Sequence, residues 1–409
     1  MAQRQAEAPG LEFGEKVVVL IGGVLAAMAL TVIGPVLPMI EKELAHDATD
    51  AMLIKQLFGV TTLAMVAGAP LGGFLVARLG MRRLLLVASV VYALAGTAGF
   101  YLSSLSLLLA SRMFLGASAA CIQVMSLTLV NTRLDDAGRA KWMGLHVSIA
   151  TLCSLVIMPA AGVLGDASWR WPFLLYLIGL VVFVVLLFGN AGMGAQAGAP
   201  SAARTARSGG GESESILRWM PWHYVLVSLL IGAITFLPTI YLPYQYREQA
   251  GLSPSGIAIA MTAAAVVGGC ASMLYGRARK MLSVHLAFLI SFGLAGTGML
   301  IAAFGTDLPT VLGGVMVYSL GIAWFVPNVM TGLGGKVAPH QQARAAGLVK
   351  AGHFLSTPFC VILVEPFARQ FGAVTVMLVA SLLAFFVVAL VLLRMATTGK
   401  QAKVAAAGS

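Results

Sequence analysis

Leu105 to Asn131 reads LSLLLASRMFLGASAACIQVMSLTLVN, an apolar run of spanning length broken by one charge, Arg112. At ~1.5 Å of rise per residue, Arg112 sits about 10 Å into this helix, too deep for an ordinary end residue. A charge at that depth is costly in hydrocarbon and has to face protein or water. Helical steps from Arg112 reach Gly116, Ala119, Ala120 and Gln123, so one face is small and then polar on an otherwise apolar helix. The stretch is expected to cross a membrane inside a helical bundle and to line something with that face.

Composition names the kind of bundle. The chain has 409 residues, 59% of them hydrophobic and 10% charged, with mean hydropathy +0.92. No soluble domain of this length tolerates such a surface, so the chain is read as a polytopic all-α membrane protein. Cys121, Cys153, Cys270 and Cys360 all fall in apolar runs without metal-like spacing and are read as small packing residues.

In order, residues 1–15 form a polar tail too hydrophilic for a signal peptide. Apolar runs of spanning length follow near 16–40, 54–77, 84–103, 105–131, 140–165 and 171–190. A Gly/Ala/Ser-rich stretch at 192–219 reads as a flexible cytoplasmic linker. Six more runs lie near 220–246, 254–276, 282–304, 308–335, 344–368 and 371–395, before a basic tail at 396–409. The expected organisation is twelve spans in two six-helix bundles, residues 16–191 and 220–395.

Lys and Arg orient the chain. With the N-terminus inside, cytoplasmic segments hold 19 of the 26, outer loops hold five, and Arg112 and Lys350 lie within spans. That asymmetry places both termini in the cytoplasm. The net charge of +11 is therefore a positive-inside bias facing the lipid bilayer, and no nucleic-acid partner is implied.

The halves echo one another. Thr31 to Pro38 (TVIGPVLP) resembles Thr235 to Pro243 (TFLPTIYLP), and Arg139-Ala140 matches Arg344-Ala345 at a shift of 205. Equal sidedness and six spans each imply parallel repeats with a pseudo-twofold axis along the membrane normal, and a site near midplane.

At these residues the chain resembles the major facilitator superfamily over nearly its whole length. Gly73-Phe-Leu-Val-Ala-Arg78-Leu-Gly80-Met-Arg82-Arg83 is similar to that family's turn between the second and third helices, with Ala77 where the family has an acidic residue. Arg112-Met-Phe-Leu-Gly116-Ala-Ser-Ala-Ala120 resembles the fourth-helix motif of its drug:proton antiporter branch. Met158-Pro159-Ala-Ala-Gly162 partly resembles that branch's fifth-helix motif, with Met158 in place of the first glycine. The resemblance implies conformational gating by Gly73, Arg78, Gly80, Arg82, Arg83, Pro159 and Gly162, and a substrate path lined by spans one, four, seven and ten. Thr31, Gln123, Thr235, Thr239, Tyr318, Trp324 and Asn328 are the polar and aromatic candidates on those spans.

Ionisable residues in the spans are few. Lys350 lies about 10 Å from the inner end of the eleventh span at ~1.5 Å per residue, with His353 three residues on and Glu365 near the outer end. Each has a plainer reading: Arg112 as a partner of backbone carbonyls, Lys350 as a snorkelling side chain, His353 as packing, Glu365 as an interface residue. The spans hold no central Asp or Glu, so Arg112 and Lys350 favour anionic, zwitterionic or amphipathic solutes. His353 beside a cation in apolar surroundings, Glu365 and Arg112 are the candidates for proton coupling.

The chain is thus expected to be a secondary active transporter of a small organic solute, working by alternating access with protons as coupling ion. It is expected in the cell (inner) membrane, as a monomer, without cofactor or metal. Export is the first reading, and uptake of an organic anion the second. An intramembrane enzyme lacks a paired Asp, a partnered nucleophile or a metal-spaced set, and a receptor has no use for the repeat.

Overall fold

A computed structural model describes residues 11–188, 219–334, 336–338 and 341–407. Among them twelve helices are long and apolar enough to cross a membrane, and no strand occurs. The first six spans are Phe13–Leu44, Ala48–Leu79, Met81–Tyr101, Leu105–Arg133, Lys141–Ala167 and Trp171–Phe188. The last six are Trp222–Ala250, Pro254–Met281, Val284–Phe304, Leu308–Leu333, Arg344–Phe371 and Ala373–Met395. The protein is a multi-pass, all-α membrane protein. Apart from Trp219, the expected linker at 192–219 lies outside the described residues, as do residues 1–10 and 408–409 of the expected tails.

Capping sets where several spans begin. The Asp47 carboxylate accepts from the amides of Thr49 and Asp50 at 2.7 and 2.8 Å, so the second span starts six residues before its apolar run. Ser283 and Asp307 accept from the amides of Leu286 and Thr310 at the heads of the ninth and tenth spans. Gly80 ends the second span at φ 76°, in the region that favours glycine, and lets the third begin one residue later. The first span breaks between Thr31 and a 3-10 turn at Gly34–Val36, where Pro35 interrupts the hydrogen-bond ladder.

The described residues fall into two compact units, one within Met1–Glu214 and one within Ser215–Ser409. The same pairs of spans pack in each. First on fifth, second on fourth, third on fourth and third on sixth in the N-terminal unit correspond to seventh on eleventh, eighth on tenth, ninth on tenth and ninth on twelfth in the C-terminal unit. Small residues permit the close approaches. A Cβ on Gly68 would meet the Ala117 backbone at 2.7 Å, and one on Gly116 would run into the Thr61 carbonyl.

Candidate functional site

The C-terminal unit encloses a cavity of about 310 Å³ between its seventh, tenth and eleventh spans. Ser228 and Ile231, Val329 and Met330, and Lys350 and His353 line it from those three helices. Lys350 and His353 project together because residues three apart share a helix face. Lys350 is exposed, with its ammonium 5.8 Å from the centre of the Phe354 ring. His353 is half-buried, its ring 5.2 Å from that of Phe236, and its Nδ1 is buried without a hydrogen-bond partner among the described residues. Among the described residues no carboxylate lines the cavity. An unpaired cation beside an imidazole with a free nitrogen can hold an anionic group and exchange a proton with it.

Other residues of the eleventh span continue this face. The Thr357 hydroxyl is buried and has no hydrogen-bond partner among the described residues. Glu365 lies 15 residues beyond Lys350, about 22 Å at ~1.5 Å per residue, and so stands apart from the cavity. It is buried, accepts from the Tyr241 hydroxyl at 2.6 Å and pairs with Arg369 at 3.0 Å.

Arg112 occupies a different place from the one expected of a path-lining residue. It is 1% exposed, and one guanidinium nitrogen donates to the carbonyls of Ala95 and Gly96, both at 3.0 Å. The guanidinium lies 5.1 and 5.4 Å from the ring centres of Phe173 and Tyr176 in the sixth span. The third span's main helix ends at Gly96, where the helix dipole is negative. That nitrogen of Arg112 meets the end of the helix, while its other terminal nitrogen, Nη1, is buried without a hydrogen-bond partner among the described residues.

Tyr318 is likewise occupied by backbone: its hydroxyl donates to the Ile234 and Thr235 carbonyls at 3.0 and 3.3 Å. Thr31, Thr235 and Thr239 are half-buried and return their hydroxyls to carbonyls of their own helices, those of Ala27, Ile231 and Thr235. Gln123 is half-buried. Trp324 donates to the Ala271 carbonyl at 2.8 Å, and the buried Asn328 accepts from the Tyr275 hydroxyl at 3.0 Å. Trp324 and Asn328 thus meet on one face, against the eighth span.

Of the residues expected to gate, Gly80 and Arg82 have definite structural work. Gly80 makes the turn, and Arg82 donates to the Leu186 carbonyl at the end of the sixth span, at 2.9 Å. Arg78 is exposed over Phe74 of its own helix, Arg83 is exposed, and Gly73 has open space around its Cα. Pro159 lies inside the fifth span, with Gly162 buried one turn on.

One residue escaped the sequence reading. His146 of the fifth span is buried and its Nδ1 lies 2.6 Å from the Val19 carbonyl, while a Cβ on Gly23 would meet its ring at 2.9 Å. In the C-terminal unit the His353 backbone stands just as close to Gly232. His146 and His353 are 207 positions apart, near the shift of 205 between the repeats, and that spacing was the available signal. Among the described residues, His146 and His353 each stand against the leading span of their own unit. The first is bonded to backbone, and the second keeps a free nitrogen.

Comparison with known proteins agrees with this architecture. Multidrug resistance protein MdtL of Shewanella sp. (strain ANA-3) is 32% identical over 155 residues, 37% of this chain and 38% of that protein. Puromycin resistance protein pur8 of Streptomyces alboniger is 28% identical over 173 residues, 42% of this chain and 33% of that protein. The chain therefore matches well under half the length of these curated relatives. The inward-open xylose transporter XylE from E. coli superposes with TM-score 0.72 at 14% identity, covering 92% of this chain and 94% of that one. A mutant nucleoside transporter NupG superposes with TM-score 0.73 at 13% identity, covering 94% and 99%. At such identities the likeness is one of fold. The model of the family described as Major Facilitator Superfamily matches residues 19–284 and 224–408. Since that match runs through both six-span units and not one alone, the chain as a whole belongs to the Major Facilitator Superfamily and is a transporter, not an enzyme.

Proposed function

We propose that this transporter exports a small organic solute that is anionic, zwitterionic or amphipathic, exchanging it for protons by alternating access. The observation that carries the reading is the cavity holding Lys350 and His353 with no carboxylate in its lining among the described residues. Lys350 receives the negative group of the solute, and His353 takes up and releases the proton at its unpartnered Nδ1. The solute also donates to neutral His353 at Nδ1, so protonation there removes the acceptor and places a second positive charge beside Lys350, and proton and solute occupy the site in turn, as exchange requires. Arg112 in the N-terminal unit, and Tyr318 and Glu365 in the C-terminal unit, tie helices together within their own units. The names of the partial relatives, a multidrug and a puromycin resistance protein, support outward transport. The Lys and Arg distribution supports an inner-membrane orientation with both termini in the cytoplasm.

Purified protein in proteoliposomes, given a panel of organic anions and cations under an imposed pH gradient, tests this. An acidic lumen is expected to drive anion accumulation inside, because protons leave as solute enters. Accumulation driven instead by an alkaline lumen would establish symport, the mechanism of the second reading, uptake. Transport of cations alone, or indifference to the gradient, would overturn the assignment.

A further inference from the structure

A second and larger cavity of the C-terminal unit, about 560 Å³, lies between the seventh, ninth, tenth and twelfth spans. Its polar residues gather at one end. His223 and His285 are the second residues of the seventh and ninth spans, Lys336 follows the tenth, and Arg394 is the penultimate residue of the twelfth. The Lys336 ammonium is 5.7 Å and the His223 ring 4.5 Å from the centre of the Tyr224 ring, and Lys336 and Arg394 both act electrostatically on His223. Among the described residues no acidic residue lines the cavity.

Away from that end the wall is apolar. Leu230 and Phe292 sit seven residues beyond His223 and His285, about 10 Å deeper at ~1.5 Å per residue. Val387 and Phe288 complete the slot, and Leu390 of the twelfth span, at 45% exposed, carries its wall out to the apolar exterior. A cluster of cations over a slot of this depth, open towards lipid, suits a molecule with an anionic head and a hydrocarbon tail. A free phosphate would satisfy the cations and leave the slot unexplained.

We infer that this cavity binds one anionic phospholipid, its phosphodiester held by His223, His285, Lys336 and Arg394 and an acyl chain laid along Leu230, Phe288 and Phe292. From the proposed orientation it takes only which leaflet supplies the lipid, the cytoplasmic one. The solute cavity shares none of these residues, so failure of one assignment leaves the other standing.

The test is equilibrium binding of spin-labelled phosphatidylglycerol to the purified full-length protein in detergent, with competition by unlabelled phosphatidylglycerol, phosphatidylcholine and inorganic phosphate. Unlabelled phosphatidylglycerol is expected to displace the probe, and phosphatidylcholine and phosphate at millimolar concentration are not. Lys336→Gln with Arg394→Gln is expected to weaken binding by roughly tenfold or more, from two lost lipid-attracting charges. Leu390→Trp, which fills the slot from its exposed wall without touching a charge, is expected to weaken it too. The second variant carries the test if the first is not monodisperse. Equal competition by phosphatidylcholine, full displacement by phosphate, or undiminished binding in Leu390→Trp would each overturn the assignment.

Discussion

The Tyr318 hydroxyl donates to the Ile234 carbonyl at 3.0 Å, and Ile234 is the residue four before Pro238. A proline has no amide hydrogen, so that carbonyl is one of the two that Pro238 and Pro243 leave without their own donor in the seventh helix. The tenth span thus repairs the proline break in the seventh, and the two helices are tied at the point where the seventh can bend.

Tyr318→Phe removes only the hydroxyl and leaves a buried carbonyl unsatisfied. A loss of roughly 1–3 kcal/mol in stability is expected, read as a lower melting temperature in detergent. Because the tie is to backbone and not to solute, KM should hold. A raised KM with unchanged melting would make Tyr318 a solute contact.

Arg112→Lys replaces a planar fork by a point charge at a buried helix end. Stability should fall on the order of 1.5–3 kcal/mol, the scale of a hydrogen bond to a charged group, while the folded fraction keeps its solute affinity. A thermal melt paired with transport per folded molecule separates this from a direct role, which would show as weakened affinity at normal stability.

Gly116→Ala and Gly73→Ala form a matched pair within the family motifs. A methyl at 116 runs into the Thr61 carbonyl and must part the second and fourth spans, costing roughly 1–3 kcal/mol. The same methyl at 73 meets nothing within 4 Å and, inside a helix, should leave stability unchanged or raise it by up to about 1 kcal/mol. Equal melting temperatures for the two variants would contradict the packing described for the second and fourth spans.

Lys350→Ala and His353→Gln should divide binding from coupling. The first is expected to raise KM for an anionic solute roughly 10- to 100-fold, the equivalent of one charge-assisted bond, with folding intact. In the second, solute exchange at equal pH persists but the pH gradient no longer drives accumulation. The groups facing His353 are Lys350 and Phe354 on its own helix, Ser228 and Phe236 from the seventh span and apolar residues of the tenth, so among the described residues Lys350 is the other titrating group, and a retained gradient response in His353→Gln would pass the proton role to it.

Glu365→Gln keeps the shape but removes the charge paired with Arg369. With its partners Tyr241 and Arg369 both in place around a buried carboxylate, a stability loss of roughly 1–3 kcal/mol is expected, and gradient-driven transport should persist. Abolished gradient response in a stable Glu365→Gln protein would transfer the proton role from His353 to Glu365.

Sequence alone determined the membrane class, the twelve spans and the repeat, because hydrocarbon admits only apolar helices of fixed length and each such helix announces itself in a local window of about 20 residues. It also brought Lys350 and His353 together, since they are three apart on one helix. What it left undecided was which groups the polar residues bond to. Arg112, Tyr318, Trp324 and Glu365 look as eligible as Lys350 when read along the chain, yet each is engaged by a group 4 to 124 residues away, among them the end of the third helix, the break at Pro238, the Ala271 carbonyl and the Tyr241 hydroxyl. Only the packed structure shows those partners, because inside a bundle a polar side chain is claimed by whichever unsatisfied group the neighbouring helix presents, and that depends on how helices distant in sequence are set against each other.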